Sequence, residues 1–310
     1  MNQIFANLTA KKKELDTYKP FPPELIKNLN DWYRIELTYT SNAIEGNTLT
    51  RQETALVVDD GITVSGKSLQ DQLEAVNHAQ ACDFIEVLAK KKRQDISLKE
   101  ILNIHKKILS KIDDKNAGQF RNVSVRIKGS ETVLPTADKV PQLMAEFVIW
   151  LQAPNSDNPI KIAADAHFKL VSIHPFIDGN GRTSRLLMNL LLIQAGYPPI
   201  FIKKEDRNIY IKSLEEGQTK GNLIEYNHLI AEAVDRSLDI YLEAVNPQRQ
   251  LDSSHRFYTT EEVANTLRVD PESVRRYVRS GKLKAVRLGG KFIRIEKNDL
   301  QSFIEQSKTK

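Results

Sequence analysis

Residues 174–185, HPFIDGNGRTSR, bring together side chains suited to phosphate chemistry. An imidazole titrates near neutrality, so His174 is suited to taking a proton from a hydroxyl. Asp178, one turn further on, is a hard oxygen donor for Mg²⁺. Gly179, Asn180 and Gly181 allow a ligand to approach the backbone closely, and where such a stretch runs into a helix the free N–H groups of the first turn bind phosphate. Arg182 and Arg185 stand on neighbouring faces of that turn, and each guanidinium is able to clamp phosphate oxygens. Arginines placed where the helix dipole favours acids are unfavourable unless an anion offsets them. The spacing therefore predicts a polyphosphate site beside a general base.

Such a loop needs a helix on either side. Apolar residues at helical spacing predict helices over 160–173 before it and 182–195 after it. Further helices are predicted over 24–44, with Leu25, Leu29, Trp32, Ile35 and Leu37 on one stripe, and over 68–88, with Leu69, Leu73, Val76, Ala79 and Phe84. A capping box, Ser97 with Glu100, opens a helix that runs to Leu109, and others fit 140–152 and 222–245. Between Gly118 and Pro135 the period changes. Val123, Val125 and Ile127 alternate, Gly129 and Ser130 offer a turn, and 132–134 returns, which predicts one β-hairpin in a helical domain.

The loop matches every fixed position of HPFxDGNGRxxR and so resembles the signature of the Fic family of nucleotidyltransferases, most of which transfer AMP from ATP to a protein hydroxyl. Nine fixed residues recur by chance on the order of 10⁻⁹ times in a chain of this length. The resemblance implies that His174 is the base that activates the attacking hydroxyl, and that Asp178 holds the Mg²⁺ between the α- and β-phosphates. It also implies that Gly179, Asn180 and Gly181 form the anion hole, with Arg182 and Arg185 on the outer phosphates. The hairpin over 121–135 resembles the family's flap, which aligns a protein substrate by strand addition. Tyr210 matches an aromatic position that approaches the nucleotide, with ordinary packing as its alternative, and Phe176 reads as packing beneath the loop.

Upstream, residues 41–46, SNAIEG, fit the family's inhibitory pattern [ST]xxxE[GN]. Ser41 and Glu45 lie one turn apart at a helix end, and the resemblance implies that Glu45 pairs with Arg185 and keeps that guanidinium from the γ-phosphate. Two other functions stay open at this point. One is hydrolysis of an AMP–protein bond, with Glu45 positioning water. The other is a DNA-binding regulator whose Fic domain senses a nucleotide, although an intact His174 counts against a sensor.

Residues 61–68, GITVSGKS, satisfy GxxxxGK[ST], and residues 54–58 before them have the composition of a strand. A P-loop domain also needs alternating strands and helices and a later apolar strand ending in Asp, which this chain lacks. His78, His105, His167 and His228 fall within predicted helices without metal-ligand spacing and read as packed or surface residues.

The chain has 310 residues, 40% hydrophobic and 27% charged, which excludes disordered and fibrous classes and fits about two domains. Cys82 is the single cysteine, so a disulfide framework and a cysteine-based zinc site are excluded and a reducing cytoplasm is the expected location. The longest apolar run, 186–193, is interrupted by Asn189, and no signal-peptide stretch is present, so no membrane partner is expected.

The net charge of +5 is unevenly placed. Residues 255–310 hold 13 Lys or Arg against 7 Asp or Glu, so the basic character belongs to the tail. There, Thr259 to Glu262 is a capping box and Asp270-Pro271 opens a second short helix, which makes a helix-turn-helix. Gly289-Gly290 then turns a hairpin between 284–288 and 291–295. The tail resembles the winged helix-turn-helix of excisionase and MerR-like proteins. Arg275, Arg276 and Arg279 on the second helix and Arg287, Lys291 and Arg294 on the wing are its candidate DNA contacts, with protein binding or dimerisation as the alternative.

The expected architecture is thus mainly α. It comprises an N-terminal helical region with the inhibitory helix (1–117), a Fic core with flap and loop (118–245), a linker (246–254) and a winged helix-turn-helix domain (255–310). ATP as co-substrate, Mg²⁺, a protein substrate on the flap and duplex DNA at the tail are the partners implied. A homodimer is compatible with the same reading.

Overall fold

The computed structural model describes residues 2–127, 129–246, 257–288 and 292–308, and the chain forms two compact units, Met1–Pro247 and Gln248–Lys310. The first unit is helical: α1 (Asn2–Asp16), α2 (Pro23–Glu45), α3 (Arg51–Val58), α4 (Leu69–Leu88), α5 (Leu98–Leu109), α6 (Val140–Gln152), α7 (Pro159–Ile173), α8 (Asn180–Gln194), α9 (Arg207–Lys220) and α10 (Ile224–Val245). Residues 1–117 and 118–245 share one core, so the first unit is not divided at 117.

Helix α8 is its centre. Every residue from Leu186 to Leu192 is buried, and α2, α4, α5 and α7 all pack on this helix. A helix apolar all round has to be surrounded by others. The polar residue in that run, Asn189, is satisfied: it donates to the Ile200 carbonyl at 2.9 Å and accepts the Ile200 N–H at 2.7 Å.

Three helices differ from the sequence expectation. Helix α1 was not anticipated from its pattern. It buries Phe5, Leu8 and Leu15, and Lys11 is anchored on Asp235 and Asp239 of α10. In α2 the buried stripe is Leu29, Tyr33, Leu37 and Ile44, while Trp32 is 42% exposed. In α4, Leu69 is 70% exposed, and the inward face carries Gln72, Glu74, Asn77 and His78 beside Ala75, Ala79 and Cys82. The inward polar groups rotate the stripes away from the purely apolar reading, because they have partners to meet: Glu74 on Arg182 of α8, Asn77 on the carbonyls of Ile108 and Ser110, and His78 on Thr38 of α2. Residues 54–58, the strand a P-loop would need, lie in α3, and Lys67 is spent on the Thr48 carbonyl and Glu53.

The flap over 121–135 contains a turn, with the Ser130 N–H on the Ile127 carbonyl, but no strand ladder among the described residues. A lone two-stranded hairpin is marginal in water, and side chains take its place here. Arg121 donates to the carbonyls of Val123 and Pro135 at the base of the flap. At its tip, Ser130 Oγ and the Glu131 N–H both donate to Glu215 of α9, and Thr132 Oγ1 donates to Gln218.

The second unit has its own core of Val263, Ala264, Val274, Leu283, Ile295 and Leu300. Its elements are β1 (Phe257–Tyr258), α11 (Thr260–Leu267), α12 (Pro271–Arg279), β2 (Val286–Leu288), β3 (Phe292–Glu296) and α13 (Lys297–Lys308), and the strands form an antiparallel sheet in the order β1-β3-β2. The Thr259–Glu262 capping box opens α11, and Asp270 caps α12 with Pro271 in its first turn. The linker residues 247–254 and the Gly289-Gly290 turn lie outside the described residues.

Candidate active site

The loop begins where α7 stops. His174 closes α7 in the left-handed conformation, φ 52°, with its N–H on the Leu170 carbonyl. A side chain at positive φ is strained and is retained where the surroundings enforce it. Here Arg121, 3% exposed, does so: its Nε donates to the His174 carbonyl at 2.8 Å and its backbone N–H to the Pro175 carbonyl at 2.9 Å. One arginine thus ties the end of α7 to both ends of the flap.

The His174 imidazole lies with Nδ1 3.3 Å from the Val171 carbonyl. A carbonyl only accepts, so Nδ1 carries the proton and Nε2 keeps its lone pair. Burial holds its pKa below the ordinary value, so the ring is neutral at pH 7 and able to act as a base.

Phe176 is fully buried and stacks on His105 at 3.6 Å between ring centroids. His105 also braces the loop directly, with Nε2 donating to the Asp178 carbonyl at 3.0 Å and Nδ1 accepting the Gly118 N–H at 2.9 Å. Asn180 turns its amide inward, Nδ2 to the Phe176 carbonyl at 2.9 Å and Oδ1 from the Phe176 N–H at 3.0 Å. Its side chain therefore closes the loop, leaving its backbone N–H for the anion hole. Gly179, at φ 77°, caps α8 without a side-chain bond, so the first N–H groups of α8 face the loop.

Asp178 sits at the mouth with its side chain 62% exposed, Oδ1 accepting the Gly179 N–H and Oδ2 accepting Arg182 Nη2 at 2.9 Å. Among the described residues no cluster of three His, Cys, Asp or Glu side chains surrounds it. A single exposed carboxylate beside an anion hole fits Mg²⁺, which is held by one or two carboxylates together with substrate phosphates. Arg182 is 2% exposed and lies between Asp178 and Glu74, whose Oε1 is 3.2 Å from Nη1. It is held between these two carboxylates rather than standing open, and Glu74 is a partner that sequence reasoning missed. The signal was there: Glu74, Asn77 and His78 put polar groups at helical spacing on one face of an otherwise apolar helix.

Arg185, 5% exposed, meets the end of α2. Its Nε donates to Ser41 Oγ at 3.0 Å, and its Nη2 to the Ser41 carbonyl at 3.0 Å and to Glu45 Oε1 at 2.6 Å. Gly46, in the left-handed region at φ 103°, stops α2 at Glu45 and so leaves the carboxylate at the helix tip. That last turn is fastened by Arg207 on the Ile44 carbonyl at 2.6 Å, by Asn42 on the Glu74 carbonyl, and by Asn47 on Glu74 Oε2 at 2.8 Å. A Cβ on Gly181 would clash with Glu45 Oε1, so the carboxylate occupies the space over the first turn of α8, where helix N-termini bind anions.

Tyr210 departs from the expected nucleotide contact. It is 1% exposed and its hydroxyl lies against Arg185 and His167, so it belongs to the packing beneath the site. Of the other histidines, His78, His105 and His167 are buried, and burial pushes their pKa values down to about 3, 4 and 3. Each is neutral when folded and gains a proton on unfolding below the ordinary value near 6.5. Stability is therefore complete above that pH and is lost as the pH falls towards 4. Unfolding at pH 5 is expected to take up about three protons, read from the slope of denaturant-derived stability against pH. A flat profile between pH 7 and 5 would show that these rings are charged in the fold.

Comparison with known proteins bears on the same residues. The Fic/DOC family profile matches residues 95–192, which contain α5 to α8 and the whole loop. The chain carries a Fic domain. A helix-turn-helix domain profile matches residues 257–308. The protein adenylyltransferase Fic of Culex quinquefasciatus is 36% identical over 244 residues, 78% of this chain and 48% of that protein, so the chain spans about half the length of the curated relatives it matches. Among solved structures, Fic-1 (residues 134–508) of C. elegans superposes with a TM-score of 0.73 at 29% identity, covering 79% of this chain and 73% of that one. A Fic domain containing signalling protein of Bacteroides thetaiotaomicron superposes with a TM-score of 0.71 at 28% identity, covering 79% and 97%. The Fic match begins at residue 95, ahead of the flap, which agrees with the shared core that α5 and α8 form.

In the helix-turn-helix unit the candidate contacts divide. Arg276 and Arg279 on α12 are exposed, but Arg279 is paired with Glu272, and Arg275 with Glu272 at 3.3 Å and Glu261 at 3.0 Å. Arg294 is a correction. It is 5% exposed within β3, so it presents no open cation to a duplex. Lys291 and the side chain of Arg287 lie outside the described residues. No helix among the described residues is long and apolar enough to cross a membrane.

Proposed function

We propose that this protein transfers AMP from ATP to a hydroxyl side chain of a protein, and that Glu45 holds the reaction in check. The observation that carries the reading is the seat of the Glu45 carboxylate, on Arg185 and above the α8 N-terminus, within one loop that also offers a neutral imidazole and an exposed carboxylate. Names of the relatives, protein adenylyltransferase, agree with it.

In this reading the hydroxyl of the target donates its proton to His174 Nε2, and the freed oxygen attacks the α-phosphorus, forming the new P–O bond as the bond to the β-phosphate oxygen breaks and pyrophosphate leaves. The N–H groups at the start of α8 accept the charge that develops on the phosphate oxygens. Asp178, braced by Arg182, holds Mg²⁺, which when bound supplies charge neutralisation on the phosphates. Arg185 takes the outer phosphates once Glu45 leaves. The flap carries no strand ladder among the described residues, and a target segment adds there as a strand. Loading labelled ATP, then labelled GTP, CTP and UTP, onto the Glu45→Gly protein and following self-labelling tests the reaction. Absence of label with every nucleotide would remove the transferase reading.

The second unit is proposed to bind duplex DNA through α12, with Arg276 as its most open cation. Binding of the full-length chain to duplex DNA should weaken steeply with salt, and Arg276→Glu should lower the slope of log K against log salt by about 1 or more. No retention of any duplex at low salt would instead favour a protein-binding role for this unit.

A further inference from the structure

Beneath Arg185, three polar side chains run in line through the apolar core. Arg185 Nη1 lies 3.4 Å from Tyr210 Oη, which lies 2.8 Å from His167 Nε2. His167 Nδ1 lies 2.8 Å from Tyr226 Oη, which lies 2.9 Å from the Ala164 carbonyl oxygen. Tyr210, His167 and Tyr226 are 1%, 0% and 0% exposed.

The two ends of the chain fix every hydrogen in it. A carbonyl only accepts, so Tyr226 donates its O–H to Ala164 and its oxygen is left to accept the Nδ1–H of His167. A guanidinium only donates, so Tyr210 accepts from Arg185 and gives its own hydrogen to His167 Nε2. A neutral imidazole has the one donor and one acceptor this requires, and complete burial keeps His167 neutral. No member is left unsatisfied, which is the condition under which a buried polar chain rigidifies its surroundings.

The other anchors of Arg185, Ser41 and Glu45, all belong to the last turns of α2. Tyr210 is on α9 and His167 on α7, so their hold does not depend on α2. We infer that Tyr210 and His167 are positioning residues that aim the Arg185 guanidinium at the outer phosphates of the nucleotide when Glu45 has withdrawn. The inference rests on the reading of Arg185 as a phosphate ligand. A long side chain released from α2 would otherwise spread over several rotamers, and ordering it again would subtract from binding. The sequence signals are a His and two Tyr spread over three helices, invisible to any local pattern.

The test compares affinities for ATP, ADP and AMP, measured by calorimetry with Mg²⁺ present, in the full chain carrying Glu45→Gly. Tyr210→Phe removes one oxygen from the core and should weaken ATP about five- to tenfold, the equivalent of one ordinary hydrogen bond. AMP, which has no outer phosphate, should change by less than about twofold. His167→Leu should behave like Tyr210→Phe, and His167→Gln, whose amide offers an acceptor and a donor, should recover most of the loss. Melting temperatures of the same variants identify any that fail to fold, and Tyr210→Phe, nearly isosteric, keeps the test decisive if His167→Leu does.

Loss of ATP affinity with Arg185→Ala but not with Tyr210→Phe would overturn the inference. So would equal weakening of ATP and AMP by Tyr210→Phe, since a general loosening of the core does not distinguish them. If Arg185→Ala itself left ATP affinity unchanged, the phosphate-ligand reading would fall first, and the inference with it.

Discussion

Glu45→Gly is expected to raise adenylyl transfer, read as self-labelling with ATP, about 10- to 100-fold, the range set by breaking one charge-assisted hydrogen bond. In the structure Glu45 Oε1 is 2.6 Å from Arg185 Nη2, and the same oxygen occupies the space above Gly181. One substitution therefore clears both a guanidinium and an anion seat. The carboxylate is 38% exposed, so the pair is screened and its own contribution to stability is small. Glycine near the end of a helix costs at most about 1 kcal/mol, so the fold should survive. The hydrolytic alternative predicts the opposite sign, because a water-positioning carboxylate would be lost. Combining Glu45→Gly with Arg185→Ala should abolish the gain, since no guanidinium remains to be released. If Glu45→Gly left labelling and ATP affinity unchanged, the seat of the carboxylate would have no inhibitory consequence.

Removal of His174 should lower transfer about 10² to 10⁴-fold while leaving ATP affinity nearly intact, as expected for a general base that acts only in the transition state. The choice of variant matters here. Position 174 is in the left-handed region, where alanine is strained and asparagine is tolerated. His174→Asn therefore removes the base with the loop geometry kept, and His174→Ala adds a conformational cost that should show in the melting temperature. In the Glu45→Gly protein the acid limb of kcat/KM should fall below pH 6.5, because burial depresses the imidazole pKa and the base is lost only once the ring is protonated. Labelling by His174→Asn at the parent rate would exclude His174 as the base.

The sequence by itself determined what is short in range. The loop of residues 174–185 carries imidazole, carboxylate, glycine turn and arginines in one continuous stretch, so their order and close spacing are set by the chain itself. The helix ends were equally legible: Ser97 with Glu100, Thr259 with Glu262, Asp270 with Pro271, and Gly46 stopping α2 so that Glu45 stands at its tip. These are contacts between residues three or four apart, and local sequence encodes them.

Tertiary structure decided which distant groups those residues meet. Arg182 turned from the phosphates to Glu74, Tyr210 from the nucleotide to Arg185 and His167, and the flap from a ladder to tethers on Arg121, Glu215 and Gln218. The stripes of α2 and α4 were misread for the same reason. Periodicity counts apolar residues, whereas Glu74 and Asn77 are buried because polar partners from elsewhere in the fold satisfy them, and burial of a polar group is favourable only where that partner is supplied. The pairing is a property of how helices pack, and spacing along one chain does not contain it.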